Sequence, residues 1–177
     1  MTEKPKNGIY GNLSLLFSYP EVIPDEDLLK NSLLQGKLPG IHDLIDLQNQ
    51  YVRLFINALP EVPCPPYGSF YLEGSCMGES TVRVRNIYRK YGFETDELPD
   101  HIAVELEFLK YLEQYFHVDE EARSDFLFLI NHLISWTPAF FKEIEKHDGS
   151  GFYIAVSRAA EKIINKAISE TSWFGSC

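Results

Sequence analysis

The sequence predicts an all-α fold, and three observations carry that prediction. Nearly every periodic segment repeats its apolar residues at intervals of three and four, the spacing of a helix buried on one face. No segment shows the regular alternation of apolar and polar residues that is typical of a half-buried strand. The chain has 177 residues, 45 % of them hydrophobic, which suffices for one domain with a sizeable core. We therefore expect a single globular domain over residues 1–177.

The first part of the chain carries three predicted helices. Residues 7–18 form the first, which ends before a Tyr-Pro pair. Residues 24–36 form the second, because a proline and acidic residues stand at its start and Gly36 at its end. The third covers residues 41–59, whose apolar side chains step by three and four: Leu44, Leu47, Tyr51, Leu54 and Ala58.

The second part of the chain carries five more predicted helices. Gly92 is expected to end the first of them as a C-cap residue. Thr137 and Pro138 read as an N-cap and a first helical residue, so they divide one long apolar pattern into two helices. Glycines at 149 and 151 precede the last helix. The five helices are expected at residues 79–92, 97–116, 119–136, 138–147 and 152–171.

One segment departs from this periodicity. Residues 59–78, LPEVPCPPYGSFYLEGSCMG, are rich in proline and glycine, and no regular structure is predicted for them. Two interpretations stay open and are compatible. The segment is a stiff crossover between two helical halves, or it is a wall of a binding groove. The second interpretation rests on Tyr67, Phe70 and Tyr71, rigid aromatic side chains of the kind that anchor peptides.

Charge and cysteine content narrow the classes of function. The 26 acidic residues outnumber the 16 basic ones and give a net charge of −10, which repels nucleic acid and anionic membrane surfaces and attracts cationic peptides. The three cysteines have no tight spacing, so they indicate neither a disulfide framework nor a metal site. There is no membrane-spanning run and no signal-peptide cleavage pattern. We expect a cytoplasmic protein without stable membrane association.

Residues 97–116 would place a polar pair in the apolar face of a helix. At about 100° per residue, Glu105 falls in the middle of the apolar arc, with His101 one turn earlier on the same line. In one interpretation His101 is the hydrogen-bond partner of Glu105, because a buried carboxylate without a partner is costly. In the other, Glu105 lies at the edge of a groove and contacts a cationic or amide group of a ligand.

Sequence patterns of catalytic, metal and nucleotide sites are missing. The chain contains no Glu-x-x-His or HExxH motif, and its histidines lack the spacing of metal ligands. Neither GxGxxG nor GxxxxGK[ST] occurs. We therefore expect no catalytic residue, no metal and no cofactor.

Five segments, in order along the chain, resemble the TorD/DmsD family of redox-enzyme maturation chaperones, to which NarJ is related. ELPDHIAVELEFL, which begins at Glu97, resembles the E-x-P-D-H signature of the family. Four more segments are similar to family segments on either side of it. They are PPYGSFYL, MGESTVRVRNIYRKYGF, HLISWTPAFFKEI and GFYIAVSRAA. Together they extend over residues 64 to about 160.

The resemblance implies an all-helical chaperone that is not an enzyme. Such proteins bind the twin-arginine leader or the N-terminus of a molybdopterin oxidoreductase subunit and hold it until its cofactor is inserted. The family pattern places a hinge at about 93–100, between an N-terminal half (about 1–92) and a C-terminal half (about 101–177). With the aromatic residues of the loop, the expected peptide-binding residues are Tyr67, Phe70, Tyr71, Glu97, Pro99, Asp100, His101 and Glu105.

Two other functions remain as alternatives. One is weak GTP binding or hydrolysis by Asp100, His101 and Glu105, since guanine nucleotide binding has been proposed within the family. The other is a helical interaction module with unrelated partners. We expect a monomer, with a dimer that exchanges segments at the loop or hinge as the alternative.

Overall fold

Helices account for most of the chain in the computed structural model, which describes residues 7–34 and 41–171. Within these two ranges the backbone forms eight α-helices and no strand, so the all-α prediction is confirmed. One isolated antiparallel bridge joins Tyr67 to His101. The helices are α1 (Gly8–Phe17), α2 (Glu26–Asn31), α3 (Leu44–Tyr51), α4 (Gly68–Glu73), α5 (Glu79–Lys90), α6 (Ile102–Glu113), α7 (Glu120–His147) and α8 (Phe152–Thr171).

α2 and α3 begin at aspartate caps. Asp25 and Asp43 each accept a hydrogen bond from the backbone N–H three residues on, at 2.7 and 2.9 Å. α2 is shorter than predicted, and its predicted end at Gly36 lies outside the described residues. α3 continues into a π-helical turn, Val52–Ile56, so the predicted helix over residues 41–59 is present as two shorter pieces.

α5 ends as its glycine predicts. Gly92 has a φ of +63°, a left-handed conformation that costs glycine little because it has no Cβ. The N–H of Gly92 donates to the carbonyl of Arg89 at 3.3 Å, and the N–H of Phe93 donates to the carbonyl of Tyr88 at 3.0 Å. These two bonds are the Schellman pattern, which satisfies carbonyls left open at the end of a helix.

α7 is one continuous helix that runs through Pro138, so the predicted division at Thr137 and Pro138 is wrong. A proline inside a helix removes one backbone hydrogen bond and costs about 3 kcal/mol. Burial of large apolar side chains contributes about 1.5–3 kcal/mol each, which outweighs that cost when several lie on one face. Buried side chains continue at helical spacing on both sides of the proline: Leu129, Leu133, Trp136, Phe140 and Ile144.

The proline- and glycine-rich segment is partly helical, which corrects the prediction of an irregular loop. α4 lies within residues 59–78 and ends at Gly74, whose φ is +75°. Its six residues are too few for an apolar period to show in the sequence. Nearby, the Cys64 side chain is buried, and its backbone N–H donates to the carbonyl of Leu54 at 3.0 Å. The segment is therefore packed against the helices.

The core lies around α6 and α7. α1 and α7 pack along α6, α8 packs along α7, and α4 rests on α5 and α7. The largest fully buried side chains include Trp136, Tyr88 and Phe108. Ala159, Ile163 and Ala167 follow each other at intervals of four on α8, and all three are buried. None of the described helices is both long and apolar enough to cross a bilayer.

Candidate functional site

The turn before α6 is tied to the start of α4 by backbone and side-chain hydrogen bonds. The N–H of Gly68 donates to the carbonyl of Asp100 at 2.9 Å, and the N–H of Ile102 donates to the carbonyl of Pro66 at 3.0 Å. The N–H of Ser69 donates to Asp100 Oδ2 at 2.7 Å. Asp100 is fully buried, and its charge lies against an N–H at the start of α4. The side chain thus fixes α4 relative to α6.

His101 is the N-cap of α6. Its Nδ1 accepts a hydrogen bond from the N–H of Ala103 at 3.1 Å, so the ring proton of the neutral form sits on Nε2. The ring meets Tyr67 edge to face at 5.3 Å between centroids. Burial lowers the pKa of His101 to about 4, with the nearby carboxylates of Glu97 and Asp100 opposing that shift. At neutral pH the side chain is an uncharged cap.

Glu105 pairs with His132 and not with His101, which corrects the partner predicted from the sequence. His132 Nδ1 lies 2.8 Å from Glu105 Oε2, and the side chains are 8 % and 0 % exposed. The physical reason is that the Nδ1 of His101 already accepts the N–H of Ala103, while α7 packs against the same face of α6 and supplies another histidine. One oxygen of the buried carboxylate, Oε2, is thus satisfied across the interface between α6 and α7.

The Glu105 and His132 pair holds a proton more tightly than either group would in water. Burial raises the pKa of the Glu105 carboxyl, and the neighbouring His132 partly offsets this. Burial lowers the pKa of His132, but the carboxylates of Glu105, Asp100 and Glu73 together outweigh that effect, and the net direction is upward. The proton is therefore retained between the two side chains above the ordinary pKa of histidine.

α4 sits against α7 at a glycine. A Cβ added to Gly68 would lie 2.9 Å from Cε1 of His132 and 3.0 Å from Nε1 of Trp136, both on rigid rings. Several buried polar atoms around this contact have no hydrogen-bond partner within the described residues. They are Ser69 Oγ, Asp100 Oδ1, Glu105 Oε1, His132 Nε2 and Trp136 Nε1.

A surface groove, here called the acidic groove, opens beside the turn with a volume of about 700 Å³. The segment after α5 contributes carboxylates to its lining, and α5 contributes two arginines and Tyr88. The hydroxyl of Tyr88 donates to the carbonyl of Pro99 at 2.9 Å. The lining residues are Arg85, Tyr88, Arg89, Phe93, Glu94, Thr95, Asp96, Glu97 and Pro99.

Glu97 is held in place at the rim of this groove. Its Oε1 accepts hydrogen bonds from the hydroxyl of Tyr67 at 3.2 Å and from the N–H of Leu98 at 2.9 Å. Its Oε2 takes part in no hydrogen bond within residues 7–34 and 41–171. The exposed carboxylate therefore keeps one oxygen available for a donor.

The predicted site residues fall into two layers. The outer layer is exposed or half-buried: Tyr67, Phe70, Tyr71, Glu97 and Pro99. The inner layer is buried: Asp100, His101 and Glu105. Tyr71 stacks on Trp136 at 5.9 Å, and Phe70 meets Tyr71 edge to face, so the outer aromatics are anchored to α7. A ligand on the surface reaches the inner layer only if the turn opens.

The sequence analysis did not identify His132 as a site residue. Its side chain pairs with Glu105 and lies at the edge of a surface groove. A signal was present, because Phe128, His132 and Trp136 follow each other at intervals of four on α7. A histidine between two aromatic residues on that line is the same kind of feature that singled out Glu105. Over the part of the chain that the structure describes, no three His, Cys, Asp or Glu side chains come together as metal ligands.

Comparisons with known proteins agree on one family. A family model described as nitrate reductase delta subunit matches residues 26–142. The Tat proofreading chaperone DmsD of Haemophilus influenzae is 32 % identical over 129 residues, which are 68 % of this chain and 60 % of that protein. The chaperone TorD of Photobacterium profundum is 29 % identical over 168 residues, or 88 % of this chain and 77 % of that one.

A solved structure extends the agreement to three dimensions. A crystal structure described as a redox enzyme maturation protein from Archaeoglobus fulgidus is 31 % identical, with a TM-score of 0.61 over 93 % of this chain and 97 % of that one. The chain spans about 60 % of the length of the H. influenzae protein and 59 % of the TorD of Vibrio parahaemolyticus. The resemblance inferred from the five sequence segments is confirmed, and this chain belongs to the nitrate reductase delta subunit family, together with the TorD and DmsD chaperones.

Proposed function

We propose that this protein is a maturation chaperone for a molybdopterin oxidoreductase. It binds the twin-arginine leader or the N-terminus of the catalytic subunit and holds that segment until the cofactor is inserted, before assembly or export. The names of its relatives, a Tat proofreading chaperone and TorD chaperones, support this role. The role requires binding and release, and no catalytic step by this chain.

The observation that carries the proposal is the acidic groove beside the Pro99 turn. Glu94, Asp96 and Glu97 line it, and none of them takes part in an ion pair within the described ranges. Unpaired carboxylates in a groove suit a segment that carries cationic side chains. The net charge of −10 adds long-range attraction for such a segment.

Glu97 is the residue in this groove that is best prepared for a guanidinium group. The bonds from Tyr67 and Leu98 hold its carboxylate before a ligand arrives, so little side-chain entropy is lost on binding. Arginine matches a carboxylate with paired N–H donors, whereas lysine is a single point charge. We therefore expect a preference for paired arginines over paired lysines.

Calorimetric titration tests the proposal directly. A synthetic leader with two adjacent arginines is expected to bind about tenfold more tightly than the same peptide with lysines, which corresponds to about 1.4 kcal/mol. Glu97→Gln should remove most of that preference. Glu161→Gln, an exposed change on α8 outside the acidic groove, is the matched control. Equal affinity for the two peptides in the wild-type protein would contradict the proposal.

Asp100 and His101 enter the proposal as residues that shape the turn, and direct contact with the peptide stays a prediction. Contact requires the bridge between the turn and α4 to open, which exposes the N–H groups of Gly68 and Ile102. Hydrogen exchange at these amides, with and without leader, checks this. Faster exchange in the complex is expected if the turn opens, and unchanged protection contradicts direct contact.

The remaining expectations have simple tests. Weak GTP binding or hydrolysis at Asp100, His101 and Glu105 stays a prediction, and turnover at saturating protein that is lost in His101→Ala would support it. We propose a cytoplasmic location, because a leader must be bound before export. We also propose a monomer, and light scattering distinguishes it from a dimer that exchanges segments at the predicted hinge.

A further inference from the structure

A second groove lies on the other side of α5 and was not predicted from the sequence. Three helices bound it, so it is called here the α4–α7 groove, and its volume is about 350 Å³. That volume lies within the range of ligand pockets, roughly 300–1,000 Å³. Its lining residues are Leu72, Glu73, Glu79, Ser80, Arg83, Phe128, Asn131, His132 and Ser135.

Exposed apolar side chains form part of this groove. Leu72 from α4 is 41 % exposed and Phe128 from α7 is 37 % exposed. The Phe128 ring lies parallel to the buried His132 ring, at 6.4 Å between centroids. A leucine and a phenylalanine on facing helices give a concave apolar surface, on which burial of an incoming side chain contributes about 25 cal/mol for each Å².

The charges around the α4–α7 groove are already satisfied by other protein groups. The Glu73 carboxylate accepts the N–H of Ser80 at 2.8 Å, and a Cβ on Gly78 would overlap that carboxylate. Glu79 pairs with Arg83 at 2.6 Å. This distinguishes the α4–α7 groove from the acidic groove, whose carboxylates have no ion-pair partners. An uncharged segment fits here better than a cationic one.

One buried polar atom along the α4–α7 groove has no partner. Nε2 of His132 makes no hydrogen bond within the described residues. The Glu105 carboxylate occupies Nδ1 of the same histidine and fixes the orientation of the ring. A few fixed polar groups in an apolar groove can satisfy the backbone amide or carbonyl of a bound peptide.

The two grooves are close enough for one peptide to occupy both. The α5 residues of the acidic groove and those of the α4–α7 groove are separated by roughly 10 Å along the helix, at 1.5 Å per residue. The helix is also about 10 Å across. A peptide that runs around the helix covers about 16 Å around it and about 10 Å along it, a path of about 19 Å. About six extended residues span that path, at roughly 3.4 Å each.

We propose that the α4–α7 groove is the seat of the apolar segment of the client leader, while the acidic groove takes its arginines. This proposal rests on the proposed function and adds the residues that bind the apolar segment. Leu72 and Phe128 pack against its side chains, and His132 donates a hydrogen bond to its backbone. The chain then recognises a leader by two features at a fixed spacing.

Calorimetry with paired peptides tests this proposal. One synthetic peptide carries two arginines followed by a run of leucine and phenylalanine, and its partner has serines in place of that run. The double variant Leu72→Ser/Phe128→Ser should lose about tenfold in affinity for the apolar peptide and almost nothing for the serine peptide. Ile45→Ser is the matched control, since Ile45 is 66 % exposed and lies on α3, outside this groove.

A second variant distinguishes loss of binding from loss of folding. Asn131→Trp places a bulky side chain at an exposed position of the α4–α7 groove without removing a core residue, and it should weaken binding of the apolar peptide to a similar extent. If both variants bind the apolar peptide as the wild type does, the seat lies elsewhere and the inference fails. If the wild type binds neither peptide, the proposed function fails with it.

Discussion

At the scale of single residues, the site contains two histidines whose pKa values the fold shifts in opposite directions. His101 is buried and caps α6 as a neutral ring, because its Nδ1 must accept a hydrogen bond. His132 lies beside the buried carboxylate of Glu105, and its pKa is raised. The difference comes from partners, since one histidine faces a backbone N–H and the other a carboxylate. The residue type alone does not distinguish the two histidines, because the difference lies in their hydrogen-bond partners.

We predict that His101 destabilises the fold in acid. The pKa of His101 is about 4 in the folded protein and 6.5 in the unfolded chain. The contribution of the neutral side chain to the free energy of unfolding is therefore fully present above pH 6.5, and it is lost as the pH falls towards 4. The loss attributable to this group is roughly 3 kcal/mol, at 1.36 kcal/mol per pKa unit. Urea unfolding of wild type and His101→Asn between pH 4 and 7 measures it.

The Asn variant is informative because asparagine also caps helices but does not titrate. Its stability should fall less steeply over this pH range than that of the wild type. Parallel curves for the two proteins would mean that the unfolded and folded states titrate His101 alike.

At the scale of elements, the position of α4 decides the shape of the α4–α7 groove, which Leu72 and Glu73 line. This helix carries Phe70 and Tyr71 on one part of its surface and Leu72 on another. Asp100 holds its first turn and Gly68 lets it approach α7. The element is short, so contacts with its neighbours rather than its own helix propensity determine its conformation.

Gly68→Ala should displace α4. The added methyl group meets the rings of His132 and Trp136, and overpacking of this kind costs roughly 1–3 kcal/mol. We expect lower unfolding free energy and weaker leader binding. Gly149→Ala is the matched control, because a Cβ there has no atom within 4 Å. Denaturant unfolding and calorimetry of both variants check the prediction, and equal behaviour of the two would contradict it.

A substitution in α7 is expected to raise the free energy of unfolding. Pro138 is exposed and stands inside the helix, where alanine would restore the missing N–H and its bond to the carbonyl of Ile134. Pro138→Ala should raise the free energy of unfolding by about 1–3 kcal/mol. A melting temperature that is unchanged or lower would show that the proline ring is compatible with the backbone in its present shape.

At the scale of the whole molecule, the net charge of −10 attracts any cationic partner over a distance of about one Debye length. In the proposed function that partner is a leader peptide, and the two grooves supply the short-range fit. Family membership and the similarity to a redox enzyme maturation protein belong to this scale too, because they depend on the full arrangement of helices.

The association rate should therefore depend strongly on salt. We expect the rate for a paired-arginine peptide to fall about tenfold or more between low salt and about 1 M, where the Debye length is about 3 Å. The dissociation rate should change less, since the apolar contacts are not screened. Stopped-flow fluorescence measures both rates. A peptide with glutamines in place of the arginines serves as control and should associate with little dependence on salt.

The sequence by itself determined the helical class and the positions of most helices, and it singled out the segment around Glu97 and His101 as the predicted site. These properties are local, since apolar period, caps and short motifs are read within a few residues of the chain. The tertiary structure alone decided that His132 is the partner of Glu105, that α7 continues through Pro138 and that α4 exists. Each of these depends on contacts between residues far apart in the sequence, where burial and packing outweigh local preference.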